Sequence, residues 1–341
     1  MPAVLTGAAL LGAALAGCGG AAAGADGQSI TLYSGQHVQT TDALVAAFER
    51  ATGITVNVRS NDEDTLADQI VAEGARSPAD VIYTEDTPAL EFLQEKGALA
   101  PVRAATLARV PSRYDSPQRD WVGVSARASV LIYNPSLIKE SQLPASVLAM
   151  ASSRYRGKVA IAPQEIDFQP IVTAVLRDDG RATALRWLAG LKANAGSHVY
   201  PDNETIADEV NRGAVAFGVV NQYYWYRMRA EIGAAHVPSR LAYFTAGDPG
   251  YQVNVSGAAV IKTSRHQAAA QRFLAFLVSP QGQHIIGNPA KSISFEYPIG
   301  SGVSSQAGER PLSQLRPNPI TLGELGDGSA AVAMLRQAGL L

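Results

Sequence analysis

From Ser29 onward, short apolar runs alternate with longer stretches of helical spacing, and that alternation leaves few folds open. Ile30-Thr31-Leu32-Tyr33 reads as a strand, broken by Ser34-Gly35-Gln36-His37. A helix follows, capped by Thr40 or Thr41, with Leu44, Ala47, Phe48 and Ala51 on one face and Gly53 at its end. Ile54–Val58 is a second strand, Thr65–Gly74 a helix with Leu66, Ile70 and Val71 inward, and Asp80–Tyr83 a third strand. Thr87–Lys96 is helical again, with Pro88 in its first turn, where a missing N–H is tolerated. A β-α-β-α-β-α order calls for a parallel sheet with helices on both faces. Ligands of such sheets sit beyond the carboxyl ends of the strands. His37 follows the first strand and Glu85 the third, so both emerge at one ligand-facing edge.

The middle of the chain repeats the theme. Val130–Tyr133 and Val159–Ala162 read as strands, Asp167–Leu176 as the start of a helix, and Arg181–Lys192 as a helix with Leu185, Trp187, Leu188 and Leu191 apolar. Val215–Val220 is a fully apolar strand that delivers Asn221-Gln222-Tyr223-Tyr224-Trp225-Tyr226 at its carboxyl end. Val255–Ile261 is a returning strand, Ala268–Val278 an apolar helix, Pro298–Pro319 a loop-like segment and Ala330–Ala338 a closing helix. Two α/β lobes, each with polar residues at its ligand edge, imply a cleft that closes by hinge motion, with more than one crossing of the chain. The expected lobes are 29–128 plus 252–302, and 129–251 plus 303–341.

The chain has 341 residues, 47% hydrophobic and 17% charged, enough for two domains of ordinary size. A net charge of −2 without a basic block gives no basis for nucleic-acid binding. There is no Gly-x-Ser-x-Gly, no phosphate-cradling glycine loop and no His-Glu-x-x-His, so nothing points to an enzyme. The single cysteine, Cys18, ends an Ala/Gly/Leu-rich stretch in Leu15-Ala16-Gly17-Cys18, which resembles a bacterial lipobox. The resemblance implies a signal peptide over 1–17, acylation of Cys18 and a flexible tether over 18–28, leaving the protein lipid-anchored on the extracytoplasmic face. One departure is that no Lys or Arg precedes the apolar run. The other reading is a plain secretory signal with an incidental cysteine.

Two adjacent tyrosines in a polar setting are unusual core material. A phenol titrates near ~10, so a phenolate at neutral pH needs a strong cation beside it. Hard, highly charged cations favour oxygen donors, and a tyrosine pair therefore suggests a ferric site. The same residues also fit an aromatic stripe at the end of a buried strand.

The chain resembles bacterial ferric-ion-binding proteins, the solute receptors of iron ABC transporters, over nearly all of its length after the signal. The resemblance rests on Leu32-Tyr33-Ser34-Gly35-Gln36-His37, on Gln69-Ile70 through Glu73-Gly74-Ala75-Arg76-Ser77-Pro78-Ala79-Asp80-Val81, and on Tyr83-Thr84-Glu85. Asn221-Gln222-Tyr223-Tyr224-Trp225, Ser256-Gly257-Ala258-Ala259-Val260 and Glu296-Tyr297-Pro298 extend it. Several of these are shared with relatives that carry other cargo; Gly-Gln-His, Tyr-x-Glu and Asn-x-Tyr-Tyr-Trp together are more specific. The resemblance implies an α/β, two-lobed periplasmic-binding-protein fold of type II, with a transferrin-like closing cleft. It implies Fe(III) held by His37, Glu85, Tyr223 and Tyr224, an ABC permease as partner, and a monomer. A solute-binding protein of the same fold for thiamine, a polyamine or a phosphonate is the alternative.

Many members of that family complete the metal's coordination with a bound phosphate or carbonate, cradled by small residues at a helix start. The corresponding segment here, Pro163 to Val172, carries Glu165 and Asp167 instead, and a carboxylate repels an added anion. Two phenolates and Glu85 balance the ferric charge, and Asp167 then stands where the borrowed anion stands elsewhere. Asp167 is also a favoured helix N-cap, with Pro170 placed for a first turn. Glu165 is a substitute for it as ligand. Asn203 and Asn221 match positions that bind the anion in anion-using relatives; here they orient Asp167 or a water. Arg127 is read either as balancing the cleft charge or as a surface arginine.

Overall fold

The computed structural model describes residues 29–341. The expected signal peptide, tether and lipidation at Cys18 lie outside the described residues. The first lobe begins with β1 (Ser29–Ser34), α1 (Val38–Thr52), β2 (Thr55–Ser60), α2 (Glu63–Glu73), β3 (Val81–Thr84) and α3 (Pro88–Glu95). Strand β1 pairs in parallel with both β2 and β3, as the alternation predicts. Helix α1 ends at Gly53, whose left-handed φ of 70° lets its N–H reach the Glu49 carbonyl. Its start differs from the sequence reading: His37, in extended conformation, takes the cap position, and Thr40 and Thr41 are buried in the first turn. The Thr41 hydroxyl instead bonds the Ser34 hydroxyl at 2.9 Å, tying the helix to the end of β1.

A two-residue β4 (Leu99–Ala100) and a short α4 (Ala104–Leu107) lead to β5 (Trp121–Tyr133), on which the two lobes are joined. All 13 residues of β5 are buried. In the second lobe, β6 (Val159–Ala160) pairs in parallel with β7 (Phe217–Asn221), which in turn pairs with Ser129–Tyr133 of β5. A three-residue β8 (Arg240–Ala242) adds to the same end of β5. The other end of β5, Trp121–Ala128, pairs with β9 (Val253–Ile261) of the first lobe. The strand order β2-β1-β3-β9-β5-β7-β6 therefore runs through both lobes, and β5 changes partners between Ala128 and Ser129. Sequence reading found only Val130–Tyr133, because Gly123, Ser125, Arg127 and Ser129 hide the pattern of a strand buried on both faces.

Between β6 and β7 lie α5 (Gln169–Ala195), interrupted at Gly180, where φ is 78°, and α6 (Asn203–Asn211). That break separates the two helices expected from the sequence. Phe168 stacks on Trp187 at 5.9 Å, pinning the start of α5 to its second half. Helix α7 (Gln222–Ile232) leaves β7 without a loop. The chain returns to the first lobe through β9 and packs α8 (Gln267–Leu277) on α1 through Phe48, Phe273 and Phe276, edge to face. The closing helix, Ser329–Gln337, packs on α5. Among the described residues, no helix is long and apolar enough to cross a membrane.

Candidate metal centre

His37 and Glu85 reach the same edge by different routes. The Gln36 side chain accepts the His37 N–H at 2.7 Å and donates to Ser256 on β9, which holds the turn after β1. Glu85 follows β3, and its backbone is fixed by Glu63 at the start of α2. The buried Glu63 carboxylate accepts the Glu85 N–H, and the Asp86 N–H at 3.1 Å. Gly35 makes this approach possible, since a Cβ there would lie 2.6 Å from the Cβ of Glu63. The His37 Nε2 then stands 3.1 Å from the Glu85 Oε1.

From the other lobe, the first turn of α7 brings Tyr223 between them. Its hydroxyl donates to Glu85 Oε1 at 2.6 Å and lies 3.1 Å from His37 Nε2. The Tyr224 ring lies 4.3 Å from that of Tyr223 and 6.2 Å from that of His37. Both tyrosines are buried. The tyrosines thus open a helix at a strand's carboxyl end, across from His37 and Glu85. Trp225 packs outside the cluster, donating its indole N–H to the Ser239 carbonyl.

Asp167 is buried, in a tight turn just before α5. It makes no capping hydrogen bond to α5, which begins after Phe168. Its Oδ2 instead accepts from Asn203 Nδ2 at 2.9 Å, and its Oδ1 has no partner among the described residues. Asn221 Nδ2 is buried and equally unpartnered. Asp167, Asn203, Asn221 and Ser129 line a cavity of about 10 Å³. That volume suits one water or one ion rather than an organic solute. A larger cavity of about 520 Å³ lies elsewhere, between Arg113–Asp115 and Leu312–Gly323, and contains none of these residues.

Arg127 is not a surface residue. It is fully buried on β5, one residue from the change of partners, and pairs with Asp86 at 2.8 Å, Glu296 at 3.2 Å and Glu85 at 3.6 Å. Glu296 also accepts from the Ser125 hydroxyl. Glu165 is half-buried, with the Asn203 backbone beside it.

These neighbours set the charge states. Burial alone would raise the Glu85 carboxyl, but His37, Arg127 and the Tyr223 hydrogen bond hold it well below the usual carboxylate range. Burial pushes Asp86 up to about 7 despite Arg127. Burial, then the charge of Glu85, pushes Glu165 up to about 8. Asp167 is raised by burial and by the negative charges of Asp86 and Glu85. Burial first, then Asp167 and Glu85, drive Tyr223 and Tyr224 well above the ordinary phenol value. In the metal-free cleft both tyrosines are therefore neutral phenols, and only a strongly charged cation reverses that preference. Among the described residues, no three His, Cys, Asp or Glu side chains gather in metal-holding geometry.

Sequence reading missed Glu63, Asp86, Glu296 and Arg227. Arg227 was legible by helical spacing, four residues after Tyr223 and three after Tyr224. Glu63 and Glu296 act through contacts distant in sequence, which no local pattern reveals.

Two lobes joined through shared strands, with ligand groups converging from both, define a solute-binding protein rather than an enzyme. The chain belongs to the bacterial extracellular solute-binding protein family, whose model matches residues 34–284. It is 36% identical over 323 residues to the Fe(3+)-binding periplasmic protein of Serratia marcescens, covering 95% of this chain and 94% of that protein. It is 35% identical to the major ferric iron-binding protein of Neisseria meningitidis serogroup B, covering 91% of this chain and 93% of that one. Among solved structures, iron-bound HitA from Pseudomonas aeruginosa superposes with a TM-score of 0.87 at 40% identity, over 92% of this chain and 100% of that one. The fold is the two-lobed type II periplasmic-binding-protein fold.

Proposed function

We propose that the protein binds Fe(III) between its lobes and delivers it to an ABC permease. The observation that carries this reading is the approach of the Tyr223 hydroxyl to Glu85 at 2.6 Å and to His37 at 3.1 Å, with the Tyr224 ring tilted against that of Tyr223 at 4.3 Å. Imidazole, carboxylate and two phenols from opposite lobes form an ion-sized set dominated by hard oxygen donors. Iron would enter an open cleft, meet His37 and Glu85 on one wall, and draw Tyr223 and Tyr224 onto itself as phenolates when the lobes close. The similarity to ferric-iron-binding proteins supports ferric iron as the cargo.

Asp167 is the proposed fifth protein ligand, in place of a phosphate or carbonate. Supporting this, it is buried, it does not cap α5, and its Oδ1 is free of protein partners among the described residues. Asn203 orients it, Asn221 is a further donor beside it, and Arg127 balances the carboxylates around Glu85. The carrier is proposed to act as a monomer anchored through Cys18.

Ferric citrate added to the metal-free protein, with and without phosphate or carbonate, tests both parts. A visible phenolate-to-iron charge-transfer band is expected in each case. A protein that stays colourless sinks the iron reading; colour that requires the anion sinks the role of Asp167 alone.

A further inference from the structure

Beneath the tyrosine pair lies a cation that the metal site does not account for. The Arg227 guanidinium carbon sits 5.2 Å from the centre of the Tyr223 ring and 5.7 Å from that of Tyr224. The side chain is only 7% exposed, and its Nε and Nη2 have no hydrogen-bond partner among the described residues. The carboxylates Glu85, Asp86 and Glu296 of the site pair with Arg127, and among the described residues none pairs with Arg227. A buried guanidinium without a carboxylate is costly, and two neutral aromatic faces compensate it only in part.

We propose that Arg227 is a positioning residue for the bound ion: it clamps the Tyr223 and Tyr224 rings side by side so that both oxygens are presented to the ferric ion, with its charge against the rings that donate to that ion. The inference rests on the iron reading above. With neutral phenols, Arg227 has only ring faces to interact with. With metal-bound phenolates the rings present more electron-rich faces to it, although the ferric ion takes up most of the added negative charge. The clamp favours the metal-bound state by keeping both rings in register for the ion rather than by adding a counter-charge. No proton or electron needs to move to or from Arg227 itself.

The arrangement leaves a spectroscopic trace that packing alone would not. A positive charge held over the rings stabilises the electrons on the phenolates more than it stabilises an electron moved to the iron. The charge-transfer band therefore lies at higher energy with Arg227 than without it.

The test compares wild type, R227M and R227K after loading with ferric citrate. It reads the position of the charge-transfer band, the rate of iron loss to EDTA at fixed pH, and the melting temperature of the metal-free protein. R227M is expected to shift the band to longer wavelength and to lose iron about tenfold faster. R227K is expected to recover part of the band position. A coloured wild type together with an R227M protein of unchanged band and unchanged rate overturns this inference and leaves the iron site standing. A wild type that takes up no ferric ion overturns the site and this inference together. Should R227M fail to fold, R227Q, planar and uncharged, is measured in its place: a red-shifted band with faster loss supports the clamp, and an unchanged band and rate overturn it.

Discussion

In the first lobe, Glu85 is surrounded by partners: His37, the Tyr223 hydroxyl, Arg127, and a backbone held by Glu63. In the second lobe, Asp167 Oδ1, Asn221 Nδ2, and Arg227 Nε and Nη2 are buried without partners among the described residues. The first wall is held by the ion pairs of Arg127 with Asp86, Glu296 and Glu85, although Asp86 Oδ2 and Arg127 Nε are unpartnered too among the described residues. On the second wall neither Asp167 nor Arg227 has an ion pair among the described residues, and it is there that a bound ion changes the energy most. A carrier built this way keeps one wall in register while the other wall senses the cargo.

That contrast is broken most sharply by exchanging donors on the two walls. Tyr223→Phe and Tyr224→Phe each remove a phenolate facing a trivalent ion. By analogy with breaking a buried charge pair, each is expected to cost about 3–5 kcal/mol of iron affinity and most of the visible band. His37→Ala removes a neutral donor from the other wall, with a loss of about ten- to a hundredfold in affinity while the colour persists. Chelator competition and absorbance on the three variants measure this. A His37→Ala protein that loses its colour as completely as Tyr224→Phe would show that the walls are not distinct in the proposed way.

Asp167→Asn probes the unmet half without touching the tyrosines. The amide is uncharged, so iron binding without added anion is expected to weaken about ten- to a hundredfold. Phosphate or carbonate, no longer repelled by a carboxylate, should restore much of it. Metal-free Asp167→Asn should be at least as stable as wild type, because burial and the charges of Asp86 and Glu85 already oppose ionisation of Asp167. Competition titrations with and without anion, and a melting curve, check both statements.

Glu63 tests how far the first wall depends on its support. Glu63→Ala leaves the Glu85 and Asp86 N–H groups unsatisfied while relieving carboxylate repulsion, since burial and the charges of Asp86 and Glu85 raise the Glu63 carboxyl. A net loss of about 1–2 kcal/mol in stability is expected, with little change in charge-transfer wavelength. Glu63→Gln keeps an acceptor oxygen and should lie close to wild type. Denaturant unfolding and the band position together separate a support role from a ligand role.

How much of this was legible in the sequence depended on the range of the contact. His37, Glu85, Tyr223 and Tyr224 stand where apolar strands give way to polar residues, and strand-end geometry was enough to place them at ligand-facing edges. The first three strands and their helices followed from periodicity alone. Strand β5 was only partly visible, because a strand buried on both faces and shared by two lobes carries Gly123, Ser125 and Arg127 where simple alternation would put apolar residues. The burial of Arg127 depends on Asp86 and Glu296, distant in sequence, so neither its depth nor its pairing could be read locally. For Asp167 the sequence offered cap or ligand. The Asn203 contact and the turn preceding α5 remove the cap reading, and both required the fold.

The smallest expected effect acts one step behind the unmet half. Asp202 caps α6, its side chain accepting the Thr205 N–H at 2.7 Å, and α6 begins with the Asn203 that holds Asp167. Asp202→Ala should cost about 1 kcal/mol of stability through the lost cap. If the second lobe's donors depend on that helix start, the variant should also lose iron to a chelator a few-fold faster, with the charge-transfer band unmoved because the phenolates are untouched. A band shift in Asp202→Ala would mean that Asn203 and Asp167 reach the tyrosines more directly than through orientation. Unchanged iron release beside a lowered melting temperature would confine Asp202 to stability and leave Asn203 held by its own contacts.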